Sequence, residues 1–290
     1  MKYEAIRTNS QQFSIRKMCE VFQLTERSYY QWLKGIEIRE IKQLNELVII
    51  EKVKTVFERS RKTYGYRRMW RELQKMEIHL SEYRVHKIMR ETGMYPVTIT
   101  KYRPGKRGRQ RGRYHENHVN QEFKVAEMNQ VWAGDITYIK TGLGWVYLAV
   151  VIDLYNREII GYSLSRSIDS ELVKRALSNA IVNRKPDYGK TIFHSDRGAQ
   201  YSSKSHQKML EEYGIVGSMS KGGCPYDNAC VESFFSTAKR ECIYRKEYDT
   251  MEEVRRDMFD YIELFYNRKR MHRTLGYLSP VEYRQQQLRS

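Results

Sequence analysis

The chain has 290 residues, enough for about two domains, and no segment approaches the ~18 consecutive apolar residues of a membrane-spanning helix. Its net charge of +17 is unevenly distributed: residues 1–114 contain 27 Lys and Arg, 12 Glu and no Asp, whereas residues 115–290 contain 25 basic and 23 acidic residues. These features exclude a membrane protein and predict that nucleic acid binds the first part of the chain; an inert, highly charged surface is the alternative.

Residues 13–35 are predicted to form two short helices around the turn Gln23-Leu24-Thr25. Apolar residues recur at helical spacing on both sides of the turn, and Thr25 is a candidate N-cap for the second helix. A further helix is expected near residues 43–57. The pair is typical of a helix-turn-helix unit, whose second helix enters the DNA major groove, and its candidate DNA contacts are Arg27 and Tyr30.

A second helical pair is predicted from Tyr64 to Gly93, with a break at residues 77–80. Ser81 is a candidate N-cap, and Gly93 fits the position just past a helix end. The pair indicates another helix-turn-helix unit, although a small helical bundle with a basic surface would have the same pattern. Its candidate DNA-contacting residues are Arg67, Arg68, Arg84 and Lys87.

The segment from Lys101 to Tyr114 carries seven Lys or Arg in fourteen residues, and Gly and Pro interrupt any helix. Such a segment cannot bury a core, so we expect a flexible linker or an arm that follows DNA. The predicted division is a helical DNA-binding region at 1–100, a basic linker at 101–124 and a second domain at 125–290. The candidate phosphate contacts in the linker are Lys106, Arg107, Arg109, Arg111 and Arg113.

After residue 125 the pattern changes to strands. VWAGDITYI, WVYLAVVID and EIIGYSLS are rich in β-branched and aromatic residues and are separated by turn signals, so they predict an antiparallel meander. Helices at about 170–183 and 204–213 then alternate with strands at 191–195 and 215–219, and helices at about 227–244 and 250–267 follow. The predicted fold is α/β, a mixed ribonuclease H-like sheet covered by helices and preceded by an all-α helix-turn-helix region.

Three carboxylates occupy notable places in this second domain. Asp135 lies inside a predicted apolar strand, where a carboxylate is costly unless it is paired or binds a metal. Asp196 ends another strand, and Glu232 lies near the start of a helix, at the edge of its apolar face. Together they suit Mg²⁺ or Mn²⁺, which prefer oxygen ligands. Taken singly, each acid is better explained by structure: Asp135 as a buried polar group, Asp196 as a turn former and Glu232 as a surface helix residue.

The spacing of these acids, with 60 residues between the first two and 35 between the last two, provides the stronger signal. With the segments GDITYI, HSDRGAQY and CPYDNACVESFFSTAKRE, the chain resembles bacterial insertion-sequence transposases, whose catalytic domain is similar to retroviral integrase. The resemblance covers nearly the whole chain, including YGYRRMWRELQ and the C-terminal YNRKRMHRTLGYLSP. It implies that Asp135, Asp196 and Glu232 are the catalytic and metal-binding triad of a DNA transposase.

The same resemblance implies a two-metal-ion polynucleotidyl transferase that cleaves the ends of a mobile element and joins them to another DNA strand. Lys239, two helical turns beyond Glu232, is a further candidate DNA contact. His194 could hydrogen-bond within the site or serve only the fold. Asp153 is predicted to cap a turn with Asn156 and Arg157.

Two other functions fit parts of the pattern. A sequence-specific DNA-binding regulator would explain residues 1–114, and a ribonuclease H-type nuclease would use the same acids without strand transfer. The expected partners are the terminal inverted repeats of the element, target DNA and, on paired DNA ends, further copies of the chain. An upstream helix-turn-helix protein or fused segment is a further expected partner. Without a secretory signal, and with Cys19, Cys224, Cys230 and Cys242 in no zinc-site spacing, we expect a cytoplasmic protein that binds the nucleoid.

Overall fold

The structure is a computed structural model that describes residues 1–97, 125–220 and 229–289. The whole predicted basic linker, with its five candidate phosphate contacts, and most of the loop before Glu232 lie outside the described residues. The α-helices of the described residues are α1 Lys2–Asn9, α2 Ile15–Phe22, α3 Glu26–Arg59, α4 Tyr66–Lys75, α5 Glu82–Glu91, α6 Ser170–Arg184, α7 Lys204–Glu212, α8 Ala229–Glu241, α9 Met251–Phe259 and α10 Pro280–Gln287. The strands are β1 Val131–Thr141, β2 Gly144–Asp153, β3 Ile159–Ser165, β4 Ile192–Ser195 and β5 Val216–Met219.

The first helical unit consists of α1, α2 and the beginning of α3, which pack around the buried side chains of Ile6, Cys19 and Tyr29. Thr25 caps α3 as predicted, because its hydroxyl accepts a hydrogen bond from the amide of Ser28 at 3.1 Å. The turn between α2 and α3 is thus held by a local hydrogen bond. The predicted helix pair at residues 13–35 is confirmed at its start.

The end of that pair was predicted wrongly. Helix α3 is 34 residues long, continues through Gly35 and includes the separate helix expected at 43–57. A glycine costs a helix only about 1 kcal/mol, and neither proline nor a second glycine follows before residue 60. The strong helix formers on both sides of Gly35 therefore outweigh this cost, and the helix continues. The middle of α3 exposes large apolar side chains, among them Ile38, Ile41 and Leu44.

Helices α4 and α5 form the second predicted pair. The Ser81 hydroxyl accepts a hydrogen bond from the Arg84 amide at 3.2 Å and so caps α5. Gly93 follows the helix end with a φ of 69°, a left-handed conformation that glycine adopts without a steric penalty. The turn between the helices is held by the Trp70 indole, which donates a hydrogen bond to the carbonyl of Leu80 at 2.9 Å. Both boundary predictions are therefore confirmed.

The five strands form one mixed sheet in the order β3-β2-β1-β4-β5. The meander of β1, β2 and β3 is antiparallel, whereas β4 pairs with β1 and β5 pairs with β4 in parallel. Asp153 ends β2, and its carboxylate accepts a hydrogen bond from the Tyr155 amide at 2.9 Å. Its predicted role as a turn cap is confirmed. The sheet, with helices on both faces, is the predicted ribonuclease H-like architecture.

Side chains alternate along β1 between the two faces of the sheet. On one face, Trp132 packs in a cluster with the apolar side of α6. On the other face, Val131, Ala133 and Ile139 pack in a cluster that includes the apolar residues of α8 and α9. Asp135 falls between Ala133 and Ile139 in this alternation, so it lies on the face that α8 covers.

The cluster on the α8 face continues into the end of α3 and into α4 and α5. Tyr64 lies at this junction: its hydroxyl donates to the carbonyl of Lys269 at 2.7 Å and accepts from the amide of Met271 at 3.0 Å. The second helical unit is thus packed against the sheet domain. The division of the chain at residues 101–124 stays a prediction.

The C-terminal region differs from the single regular helix predicted at 250–267. After α9 the chain forms a π-helix at Asp260–Tyr266, whose wider turn places Tyr261, Phe265 and Tyr266 in the core. Asn267 follows, and its side chain exchanges two hydrogen bonds of 2.9 Å with the backbone of Ile159 in β3. The C-terminal segment therefore braces the sheet. None of the helices in the described ranges is long and apolar enough to cross a membrane.

Candidate active site

Strand pairing brings Asp135, within β1, close to Asp196, which follows the end of β4. The parallel register of β1 and β4 ends with Gly134 opposite Ser195, so the two aspartates are the next residue on each chain. Neighbouring strands lie about 4.8 Å apart. The Asp135 side chain is only 3% exposed, and its Oδ1 accepts a hydrogen bond from the Ile136 amide at 2.8 Å. Strand register thus pairs two acids that are 61 positions apart in sequence.

The turn after Asp196 holds that carboxylate in place. Its Oδ1 accepts a hydrogen bond from the amide of Gly198 at 2.9 Å. A β-carbon at Gly198 would lie 2.9 Å from the same oxygen, closer than ordinary contact allows. A larger residue at this position would therefore push the Asp196 carboxylate away from the amide.

His194 precedes this turn, within β4, and is buried. Its Nδ1 lies 2.9 Å from the Ser218 hydroxyl, and its Nε2 lies 3.1 Å from the Ser220 hydroxyl. Both ring nitrogens thus contact hydroxyls of the neighbouring chain segment. Of the two roles considered for His194, these contacts favour the one that serves the fold.

Glu232 lies in the first turn of α8 and is exposed. Helix α8 packs on β1 through Val231, Phe234 and other apolar residues of the same face. Glu232 is the neighbour of Val231, so it lies at the edge of this packed face, beside the surface that carries Asp135. The packing of α8 on β1 therefore determines where Glu232 lies relative to the sheet.

The other end of α8 is anchored by a buried ion pair that sequence reasoning missed. The Arg270 guanidinium donates two hydrogen bonds to the Glu241 carboxylate, at 2.8 and 2.9 Å, and Tyr261 donates a third at 2.9 Å. Burial alone would lower the pKa of Arg270, but the Glu241 carboxylate raises it above its ordinary value. The forked geometry suits a desolvated pair. The helix that carries Glu232 is thereby tied to the C-terminal segment.

The donor set of the three acids fits a hard divalent cation, because all its ligand atoms are carboxylate oxygens. Asp135 supplies a further reason, since a buried carboxylate in a strand is stabilised by a cation. Among residues 1–97, 125–220 and 229–289 there is no group of three or more His, Cys, Asp or Glu side chains close enough to hold a metal. Asp135 and Asp196 are adjacent by strand register. Glu232 is related to them only by the packing of α8 on β1.

The candidate DNA contacts fall into two groups. Arg27, Tyr30 and Arg67 are exposed, although Arg67 also lies 3.5 Å from the Glu82 carboxylate. Their side chains are accessible to a large ligand. The five candidates of the basic linker lie outside the described residues.

The remaining candidates contact other parts of the protein. Arg84 pairs with Glu46 of α3, and Lys87 lies 3.8 Å from Glu91. Arg68 is half-buried, with its guanidinium over the Tyr64 ring. Lys239 is only 6% exposed, with its Nζ 5.1 Å from the centre of the Tyr138 ring. Binding of DNA by these residues would compete with intramolecular contacts.

The mixed sheet covered by helices belongs to the integrase-core class of proteins, as two family models show. Residues 125–225 and 232–288 match two family models that are each described as an integrase core domain, and residues 43–102 match an HTH-like domain. The matches follow the order of the described units along the chain.

The chain is 38% identical to Transposase InsF for insertion sequence IS3A of Escherichia coli (strain K12) over 288 residues, which is 99% of this chain and 100% of that protein. It is 39% identical to the transposase for insertion sequence element IS904 of Lactococcus lactis over 83% of this chain and 95% of that protein. The chain therefore belongs to the family of insertion-sequence transposases. Among solved structures, the HTLV-2 integrase catalytic core domain in complex with magnesium matches 53% of this chain and 94% of its own, at 15% identity and a TM-score of 0.38.

Proposed function

We propose that this protein cleaves DNA at the ends of an insertion sequence and joins those ends to target DNA. Asp135, Asp196 and Glu232 form its catalytic site and hold two Mg²⁺ or Mn²⁺ ions. The observation that carries the proposal is the register of β1 and β4, which makes two of these acids neighbours. Membership of the transposase family supports the reaction class.

When bound, two such cations would supply activation of the attacking oxygen and charge stabilisation at the leaving oxygen during in-line displacement at phosphorus. Backbone amides of the protein orient the carboxylate oxygens that would bind these cations. The Ile136 amide orients Oδ1 of Asp135, and the Gly198 amide orients Oδ1 of Asp196. Glu232 contributes from α8, whose far end is fixed by Glu241 and Arg270.

The helical region would select the DNA. Arg27 and Tyr30 in the first unit and Arg67 in the second are the accessible candidates for groove or phosphate contact. Arg68, Arg84, Lys87 and Lys239 would contribute after exchange of their present partners. The expected ligands are the terminal inverted repeats and target DNA, bound by two or more copies of the chain in the bacterial cytoplasm. An upstream helix-turn-helix protein or fusion segment is a further proposed partner.

The triad is tested by incubating the full-length protein with labelled element-end DNA and Mg²⁺ or Mn²⁺, and by resolving nicked and joined products on denaturing gels. Asp135→Asn, Asp196→Asn and Glu232→Gln should each reduce nicking and joining by at least about a hundredfold, since each loses a cation ligand. Chelation with EDTA should have the same effect on the wild type.

Matched controls are Asp260→Asn and Glu247→Gln, which alter exposed acids outside the triad and should keep wild-type rates. DNA binding should survive in all three triad variants. Triad variants that nick and join as fast as the wild type would refute the assignment. Nicking without joining by the wild type would indicate a nuclease instead.

A further inference from the structure

A cavity of about 340 Å³ lies between the end of α3 and the end of α8, at the junction of the helical region and the sheet domain. Its cationic lining residues come as two consecutive pairs, Arg61-Lys62 after α3 and Arg245-Lys246 after α8. Neither pair belongs to the triad or to the predicted DNA contacts. The cavity therefore joins the two parts of the chain through basic residues that have no assigned role.

The charges that line this cavity do not cancel. Lys62 pairs with Glu58 at 3.1 Å, and Lys246 pairs with Asp257 at 2.5 Å. The third acid of the lining, Glu241, is taken by the buried Arg270. In the described part of the chain, no carboxylate oxygen lies within 4 Å of the guanidiniums of Arg61 and Arg245.

Those two guanidiniums, of Arg61 and Arg245, are held in place by neutral groups. The Arg61 guanidinium carbon lies 5.7 Å from the ring centre of Tyr261 and 5.9 Å from that of Phe265. Arg245 donates a hydrogen bond to the backbone carbonyl of Arg61 at 2.8 Å. The side chains are thus positioned without being neutralised, so donor groups of both remain for an anion.

The backbone around Arg61 is also unusual. Arg61 and Lys62 have φ values of 56° and 58°, a left-handed conformation that costs a non-glycine residue about 1 to 2 kcal/mol. Strain of this kind is often found where a ligand is bound. Here the two left-handed residues direct the turn toward the end of α8.

We propose that this cavity binds a phosphodiester group of the DNA backbone, held by the guanidiniums of Arg61 and Arg245. The inference rests on the proposed function and extends it. Forked guanidinium donors match phosphate oxygens, and the Tyr261 and Phe265 rings are too buried to stack on a base. Glu241, which lines the cavity, follows Glu232 by nine helical residues, about 14 Å along α8, so the cavity lies at the far end of the helix that carries Glu232.

The test measures binding of fluorescein-labelled element-end and scrambled duplexes to the full-length protein between 50 and 200 mM KCl. Arg61→Gln/Arg245→Gln should weaken binding of both duplexes about tenfold, and should reduce the slope of log K against log salt by about one. Arg61→Lys/Arg245→Lys should recover part of the loss. The control is Arg175→Gln, an exposed arginine on α6, across the sheet. Thermal unfolding checks that each variant is folded.

A second arm replaces single phosphates of the element-end duplex with neutral methylphosphonates. Substitution at the phosphate that the cavity holds should weaken wild-type binding and leave the double Gln variant unaffected; the absence of any such position along the duplex would overturn the inference. Unchanged affinity and salt slope in a folded Gln variant would overturn the inference while wild-type nicking still supports the proposed function. A wild type that neither binds nor nicks DNA, but whose Tm is raised by inorganic phosphate, would show a free anion as the ligand and overturn it too.

Discussion

At the scale of single residues, the pKa of His272, in the C-terminal segment, is set by the residues around it. Its Nε2 lies 3.4 Å from the Arg270 guanidinium, and its ring contacts Tyr266 edge-on at 4.9 Å. Burial, followed by the nearby charges of Arg270, Arg68 and Arg157, lowers the pKa of His272 well below its ordinary value. The folded protein therefore keeps this imidazole neutral at pH values where the unfolded chain protonates it.

This difference predicts that acid destabilises the protein. Between the folded pKa and about 6.5 the unfolded chain binds one more proton than the folded one, so stability falls as the pH drops below about 6.5. The contribution of His272 is at most about 1.4 kcal/mol per pH unit. Urea unfolding at pH 7, 6 and 5 should show a smaller pH dependence in His272→Gln than in the wild type. The exposed His79→Gln serves as the control; equal slopes in all three proteins would contradict the assignment.

At the scale of elements, the packing of α6 on β3 depends on the absence of a side chain at Gly161. A β-carbon there would lie 2.3 Å from the carbonyl oxygen of Ala176 and 2.6 Å from the amide nitrogen of Ala180. Both are backbone atoms of α6, so the helix itself would have to move away from the sheet. In contrast, a β-carbon at Gly35 in α3 would meet only the Arg39 side chain, at 3.5 Å.

The two glycines should therefore respond in opposite ways to alanine. Gly161→Ala is expected to lower the free energy of unfolding by about 1 to 3 kcal/mol, because α6 is displaced. Gly35→Ala is expected to stabilise α3 by about 0.5 to 1 kcal/mol, because alanine is the better helix former. Denaturant unfolding followed by circular dichroism measures both changes. A stabilised Gly161→Ala variant would show that the contact between α6 and β3 is looser than described.

At the scale of the whole molecule, a shared apolar cluster and several polar contacts hold the second helical unit against the sheet domain. Tyr64 is central to them, because its buried hydroxyl satisfies the Lys269 carbonyl and the Met271 amide together. Burial raises the pKa of this hydroxyl to about 12, so it stays protonated and can donate. At the rim, Lys75 lies 2.9 Å from Glu282, and the Arg71 guanidinium lies 5.3 Å from the Tyr277 ring centre.

Tyr64→Phe should weaken this docking. The variant leaves a part-buried carbonyl and a buried amide without their partner, at a cost of about 1 to 3 kcal/mol. Native-state hydrogen exchange should show loss of protection at the Met271 amide, together with a lower global stability. The exposed Tyr83→Phe should change neither. Unaltered exchange at Met271 would mean that the helical unit is held by other contacts.

Much of the fold could be predicted because its signals are local. Thr25, Ser81 and Gly93 act on backbone groups within a few residues, so capping and helix ends can be predicted from short segments. The strands that became β1 and β2 are long and rich in β-branched residues. Gly35 misled the prediction because a local preference of about 1 kcal/mol was outweighed by the helix formers on both sides.

The partners of charged residues could not be predicted. Arg84 pairs with Glu46, and Arg270 with Glu241, across 38 and 29 positions in the chain. The sequence suggested DNA contact for Arg84 and gave no indication of a partner for Arg270. Such pairing depends on which helix faces meet, and no short segment contains that information.

For the candidate site, the sequence alone determined which acids to consider, because residue type, interval and family resemblance all act at the level of the chain. It also determined that Asp135 would be costly to bury alone. Only the tertiary structure decided that Asp135 and Asp196 are neighbours, since that follows from the parallel register of β1 and β4. The anchoring of α8 and the basic cavity beyond it were likewise decided by long-range packing, which brings together segments about 180 residues apart.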